Sequence, residues 1–256
     1  MSLFDTHVHL LDERFDQDRD RLIQSLPSCG ISRVLEACCN SNDINKINAL
    51  VRIYPHVFGS VGVHPHAASS VNARVLMQIE RIIEYEKMLA VGEIGLDYHY
   101  NHSPQDVQKR VFSDQLAIAQ AKKKPVLVHD REAHGDCISL IRSQKNGLSG
   151  IMHCYAGSYE DAKRYIDLGF LIGFGGSLTF KNATRLESIA RNLPLEYLVI
   201  ETDCPYMTPV PYRGQRNDPR LMHLTLERLA EIRGIPVEEV AASTVKNANR
   251  LFGLQS

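Results

Sequence analysis

Along the chain, short runs dense in Val, Ile, Leu and Phe alternate with longer stretches whose apolar residues recur every three or four positions. The first pattern predicts strands and the second amphipathic helices. Strands are expected at Leu3–His9, Arg33–Cys39, Phe58–His64, Ala90–Leu96, Pro125–His129, Gly150–Cys154, Phe170–Gly176 and Tyr197–Asp203. Helices are expected at Asp16–Ser28, Asn42–Tyr54, Val71–Lys87, Pro104–Lys122, Glu132–Ser143, Ser158–Leu168 and Ala183–Leu193, then at Asp218–Arg233 and Val237–Leu251. Strand and helix alternate about eight times, which points to a parallel sheet rolled into a (β/α)8 TIM barrel. Asn42 and Asp43 can cap one helix, and Ser158 with Asp161 another. Pro104 suits a first helical turn, and Gly30 and Gly169 suit helix C-termini. No composition shift, repeat or linker divides residues 1–256, so one domain is expected.

Polar residues break the apolar pattern at the ends of the runs. His7 and His9 close the first, and Glu93 lies in the fourth. His129, His153 and Asp203 close the fifth, sixth and eighth. A buried strand has no need of such tips. A barrel collects its strand C-termini at one face, where catalytic residues come from several strands. Residues two apart in a strand share a side, so His7 and His9 can bind one metal, with Asp5 behind them as support. A carboxylate among apolar neighbours costs free energy unless it is paired or coordinated. Glu93 meets that description, and its two oxygens can bridge two cations. Asp97, at the strand end, reads as a cap for the next turn. Asp203 can act as a ligand that also takes a proton from water, and Glu201 shares its face as metal support. His64 ends the third run and, with Arg131 and Arg213, can hold an anionic substrate. His66 reads as structural.

Composition narrows the choice of substrate. The 256 residues carry a net charge of −1, with 44% apolar and 23% charged residues. No broad basic face grips duplex DNA, so nucleic acid would be held locally and partly through metal ions. Six cysteines occur without a CxxC pair; Cys38 and Cys39 are expected in a strand, pointing to opposite faces. A reduced, cytoplasmic protein without structural disulfides is expected. Asp5 and His7 interrupt the N-terminal apolar stretch, so no signal peptide is expected, and no run is long enough to span a membrane.

Taken together, these segments resemble the TatD family of metal-dependent hydrolases, within the amidohydrolase-like TIM barrels. The matching motifs are Phe4-Asp5-Thr6-His7-Val8-His9-Leu10, Gly62-Val63-His64-Pro65-His66 and Gly92-Glu93-Ile94-Gly95-Leu96-Asp97-Tyr98. They continue with Val128-His129-Asp130-Arg131-Glu132-Ala133, His153-Cys154-Tyr155-Ala156-Gly157-Ser158, Glu201-Thr202-Asp203-Cys204-Pro205-Tyr206 and Arg213-Gly214-Gln215-Arg216-Asn217. They stand in family order along nearly the whole chain. Tyr155-Ala156 departs from the usual Phe-Ser, at positions that are not ligands. The resemblance implies two divalent metal ions, from among Mg, Mn, Zn, Ni or Fe. His7, His9 and Asp203 would hold one, His129 and His153 the other, and Glu93 would bridge. It also implies the deoxyribonuclease activity of some members, often exonucleolytic on single strands, so single-stranded DNA or another phosphoester is the expected substrate; no extended partner-binding segment is visible, and no obligate protein partner is expected. A C–N hydrolase is the rival enzyme reading. Many such enzymes bridge their metals with a carbamylated Lys on the fourth strand, and no Lys lies between Ala90 and Asp97. A non-catalytic metal-binding scaffold is the third.

Overall fold

The computed structural model describes residues 2–144 and 147–255. Its strands are β1 Leu3–Val8, β2 Ile31–Glu36, β3 Val57–Val61, β4 Met88–Asp97, β5 Val126–Arg131, β6 Gly150–Met152, β7 Phe170–Phe174 and β8 Leu198–Ile200. Its helices are α1 Arg19–Ser25, α2 Ile44–Ile53, α3 Ala73–Ile82, α4 Gln105–Lys122, α5 His134–Arg142, α6 Tyr159–Asp167, α7 Thr184–Asn192, α8 Met222–Arg233 and α9 Val237–Phe252. The sheet runs β1 to β8 in chain order, each pair parallel. A bridge between Val8 and Cys204 brings the end of the sheet round to its beginning. Two backbone bonds reinforce it, from the His9 N–H to Cys204 O (2.8 Å) and from the Asp203 N–H to His7 O (3.0 Å). The expected (β/α)8 TIM barrel is the fold.

Several boundaries differ from expectation. The second strand lies at Ile31–Glu36, so Cys38 and Cys39 follow it instead of sitting in it. The sixth and eighth strands keep only three residues each. Towards this end the strands part, and single cross-strand bonds replace the ladder. The N–H groups of Glu93, His64 and His153 reach Cys38 O, Cys39 O and Val128 O at 2.8, 2.9 and 3.0 Å. The expected first helix is divided. Pro27 opens a separate 3-10 turn, having no N–H to continue α1, and Gly30 ends that turn at φ 83°. Asn72 caps α3, accepting from Arg74 and Val75 N–H groups, and so starts it later than expected. Asp43 does precede α2, yet its carboxylate takes Lys46 at 3.0 Å and caps no backbone N–H. Ser158 caps α6 through the Asp161 N–H, as its spacing predicts.

Two apolar clusters hold the barrel. The larger fills the space between sheet and helices. The smaller takes Phe4, Leu35, Leu89, Leu127, Ile151, Leu171 and Val199 from seven strands, with Phe58 from β3 packed against it. These side chains plug the lumen, and Phe252 of α9 covers them from outside. Burying each contributes about 1.5–3 kcal/mol.

Candidate metal centre

Above that plug the same inward positions turn polar. A step of two residues leads from Leu127 to His129, from Ile151 to His153, and from Val199 through Glu201 to Asp203. Leu35 leads through Ala37 to Cys39, and Phe58 through Ser60 and Gly62 to His64. β1 breaks the step, Phe4 and His7 being three apart, and in β4 both Leu89 and Ala90 belong to the plug, four and three residues before Glu93; both strands carry register irregularities against their neighbours. Such irregularities re-aim side chains. Here they bring His7, His9 and Glu93 to the common centre.

Glu93 lies at the middle, buried. Its Oε2 is 3.4 Å from His7 Nε2. Its Oε1 faces His129 Nδ1 at 3.0 Å, His64 Nε2 at 3.6 Å and His153 Nε2 at 3.7 Å. Asp203 Oδ1 lies 3.3 Å from His9 Nε2 and 3.8 Å from His153 Nε2. The rings of His7 and His153 stack at 3.5 Å. Sets of three side chains here are close enough to share a cation: His7, His9 and Glu93; His7, His153 and Asp203; His64, Glu93 and His129.

The outer ring nitrogens say which way the imidazoles are prepared. His129 Nε2 lies 3.1 Å from Asp97 Oδ2, and His153 Nδ1 is in ion-pair contact with Glu201 Oε1 at 2.9 Å, short of a linear hydrogen bond. His9 Nδ1 lies 3.3 Å from Ala37 O. An acceptor on the outer nitrogen keeps the proton there and leaves the inner lone pair for a metal. The opposite holds for His64. Its Nδ1 accepts from the His66 N–H at 3.1 Å, so in the neutral ring Nε2 carries the proton and acts as a donor. Burial holds His64 well below the usual histidine range, hence neutral. His7 is the clearest test of fit. Both its nitrogens are buried without a hydrogen-bond partner, a state that costs free energy unless a cation satisfies it. The donor set of imidazole and carboxylate suits divalent ions.

Burial raises the Glu93 pKa, but His64, His7, His153 and His129 outweigh it and hold the carboxyl well below its ordinary value. Burial likewise opposes ionisation of Asp203, and His153 and His9 more than offset that. Burial lowers His129 and His153, yet the carboxylates win. Asp97 and Glu93 bring His129 up to about 9, and Glu201 with Asp203 and Glu93 bring His153 up to about 9. Local backbone also bends to the site. Asp203 and Cys154 sit at φ 56° and 44°, each costing of order 1–3 kcal/mol. Gly173 leaves room for Glu201, whose Oε2 would stand 2.8 Å from any Cβ added there.

Other expected residues fall differently. Asp5 reaches no imidazole. It accepts from Thr202 Oγ1 (2.6 Å) and the Thr202 N–H (2.9 Å), pinning β1 to the chain beyond β8. Arg131 and Arg213 lie exposed at the rim, over the rings of Tyr100 and Phe180. Arg216 is taken up in a forked pair with Asp18 at 2.7 Å. Asp97 does cap its turn, through the Tyr100 N–H at 2.8 Å, and it also positions His129 and His66. That second role and the place of Cys39, 3.6 Å from His9 Nδ1 and 3.8 Å from Glu93 Oε2, were missed from sequence. The two-residue step from Glu93 and from Leu35 would have signalled both.

A cluster of this kind at the strand tips of a β/α barrel defines a class, the hydrolases that work through bound cations. Comparison with known proteins narrows the class to a family. The family model described as "TatD related DNase" matches residues 4–253. The chain is similar to the "Uncharacterized metal-dependent hydrolase YabD" of Bacillus subtilis, 36% identical and covering 98% of each chain. It is 33% identical to the "3'-5' ssDNA/RNA exonuclease TatD" of Escherichia fergusonii, over 98% of this chain and 99% of that one. Among solved structures it resembles YJJV, a TatD homologue from Escherichia coli, with TM-score 0.93, 28% identity and coverage of 99% and 98%. The chain belongs to the TatD family of metal-dependent hydrolases.

Proposed function

We propose that this hydrolase cleaves phosphodiester bonds in single-stranded DNA, working from an end, with two divalent cations in the cluster around Glu93. The division of Glu93's two oxygens between His7 on one side and His129 and His153 on the other carries this reading. His7, His9 and Asp203 would hold one cation, His129 and His153 the second, and Glu93 both. Bound there, the cations would polarise phosphoryl oxygen and make water acidic enough to attack near neutral pH.

The chain's own groups do the rest. Asp203, ionised and 13% exposed at its side chain, takes the proton of the attacking water. His64 Nε2–H donates to a phosphate oxygen, and Arg131 and Arg213 supply charge from the rim. Glu201 fixes the His153 ring. The exonuclease named among the relatives acts on single-stranded DNA and RNA, and that name supports the substrate assignment. Residues 1–256 then serve as one hydrolase domain. The six cysteines are free, which suits the reducing cytoplasm; among the described residues no helix is long and apolar enough to cross a membrane.

The test is cleavage of end-labelled single-stranded DNA by metal-stripped protein, with Mg, Mn or Zn added back. Metal-dependent shortening that Asp203→Ala loses is the expected result. No shortening with any metal, from protein that binds metal, would move the substrate to a small phosphoester or a C–N bond.

A further inference from the structure

Seven large apolar side chains are exposed among the described residues. Four of them, Tyr100, Tyr206, Val210 and Tyr212, lie in the loops after β4 and β8, at the mouth that holds the metal cluster. More than half of the exposed large apolar side chains among the described residues therefore gather at this one face, beside the polar cluster. Tyr206 and Tyr100 are 47% and 51% exposed, and they end the two sides of the histidine row. Tyr206 stands 5.9 Å from the ring of His9. Tyr100 stands 5.5 Å from His66, which in turn lies 4.3 Å from His64. Each tyrosine carries a guanidinium on its ring, and the Tyr100 ring also runs parallel to that of His102, 5.5 Å away. Arg14 lies 4.2 Å from the Tyr206 centroid, and Arg131 4.7 Å from that of Tyr100. Asp12 grips Arg14 at 2.8 and 2.9 Å and so fixes the first pair.

The space beside Tyr206 has its own chemistry. A cavity of about 190 Å³ opens there, lined by His9, Tyr206, Asp12, Glu36, Asn40 and Asp43 among others. Asp12 and Asp43 are already paired with Arg14 and Lys46, and no lysine or arginine lines the cavity, so it offers a phosphate no free cation while leaving room for an uncharged heterocycle. The cluster beside it, with Arg131 at its far rim, takes the anion instead.

From this the geometry points to two base-stacking platforms, Tyr206–Arg14 and Tyr100–Arg131, that hold the nucleobases on either side of the phosphate being cleaved. This rests on the phosphodiester reading and adds to it the basis for choosing a single strand. Unpaired bases offer their faces to aromatic rings and guanidinium planes, and a duplex does not. Stacking of this kind is sequence-tolerant, since every base has a π-face.

The experiment compares an oligo(dA) decamer with an abasic decamer of equal phosphate number. The wild-type enzyme is expected to favour the base-bearing strand in kcat/KM. Tyr206→Ala and Tyr100→Ala should each cut that preference about 5- to 100-fold, mainly through KM, while Tyr206→Phe and Tyr100→Phe retain it. An unchanged preference in both alanine variants, or none in the wild type, overturns the platforms and leaves the nuclease standing. If neither strand is cut, fluorescence anisotropy with cleavage-resistant phosphorothioate decamers decides. Tighter binding of the base-bearing strand, lost in the alanine variants, upholds stacking while removing DNA hydrolysis. Equal binding of both strands overturns the platforms.

Discussion

Within the barrel lumen, two layers a few ångströms apart are built on the same inward positions and obey opposite energetics. The lower layer, with Phe4, Leu127, Ile151 and Val199, is apolar and sealed. The upper layer gathers Glu93, His129, His153, Glu201 and Asp203, buried charges facing one another. Below, every side chain taken from water stabilises the fold. Above, burial disfavours ionisation of Glu93 and Asp203, leaves the His7 nitrogens without a hydrogen bond, and comes with two left-handed non-glycine residues. The difference teaches that the closed sheet and its plug hold a site that would not assemble unaided. Stability belongs to one end of the strands and chemistry to the other.

The sharpest way to break that division is Glu93→Ala. Removing the group shared by both sides should lower turnover by about a thousandfold or more, several kcal/mol of transition-state stabilisation, while circular dichroism shows a folded barrel. Near-wild-type kcat would sink the central role of Glu93. Leu127→Ala is the converse experiment two residues below His129. It should lower unfolding free energy by about 2–5 kcal/mol in a urea titration and leave kcat close to wild type. A kcat loss larger than the stability loss would show that the layers are coupled.

Acidity offers a third probe. In metal-free protein His129 and His153 titrate at about 9, above the unfolded value of about 6.5. Their ion pairs therefore stabilise fully below pH 6.5, and that contribution fades as pH rises through 9, on the order of a few kcal/mol. Burial sets Asp5 at about 8, and its raised carboxyl pKa also makes stability fall as pH rises towards 8. Metal binding should run the other way, since the same two histidines must release protons to it. Melting temperatures with and without metal from pH 6 to 9 should therefore diverge, and parallel curves would contradict the assignment of both rings as ligands. The smallest effect is expected at the rim. Arg213→Ala removes one exposed cation and should raise KM by fivefold at most, with kcat unchanged. A larger change in kcat would place Arg213 on the reacting phosphate.

How much of this was readable beforehand follows from the physics of each level. Alternating apolar periods specify strands, helices and their number, so the barrel was legible from the chain. The polar tips were legible too, because His7, Glu93, His129, His153 and Asp203 each violate a local apolar pattern. Strand ends were not. Whether β6 stops at Met152 or runs on depends on how neighbouring strands splay, which is a property of the closed sheet. The second role of Asp97 and the place of Cys39 escaped notice because a carboxylate at a turn and a thiol near a strand end each have an ordinary local explanation. Only the assembled barrel sets Asp97 against His129, and Cys39 against His9. The direction of each imidazole was also beyond one-dimensional reading. It depends on acceptors from other strands, with Glu201 behind His153 and the Ala37 carbonyl behind His9. The local alternation of side chains thus determined which residues could face the centre, while closure of the sheet decided which of them meet, because through-space partners exist only once all eight strands are in register.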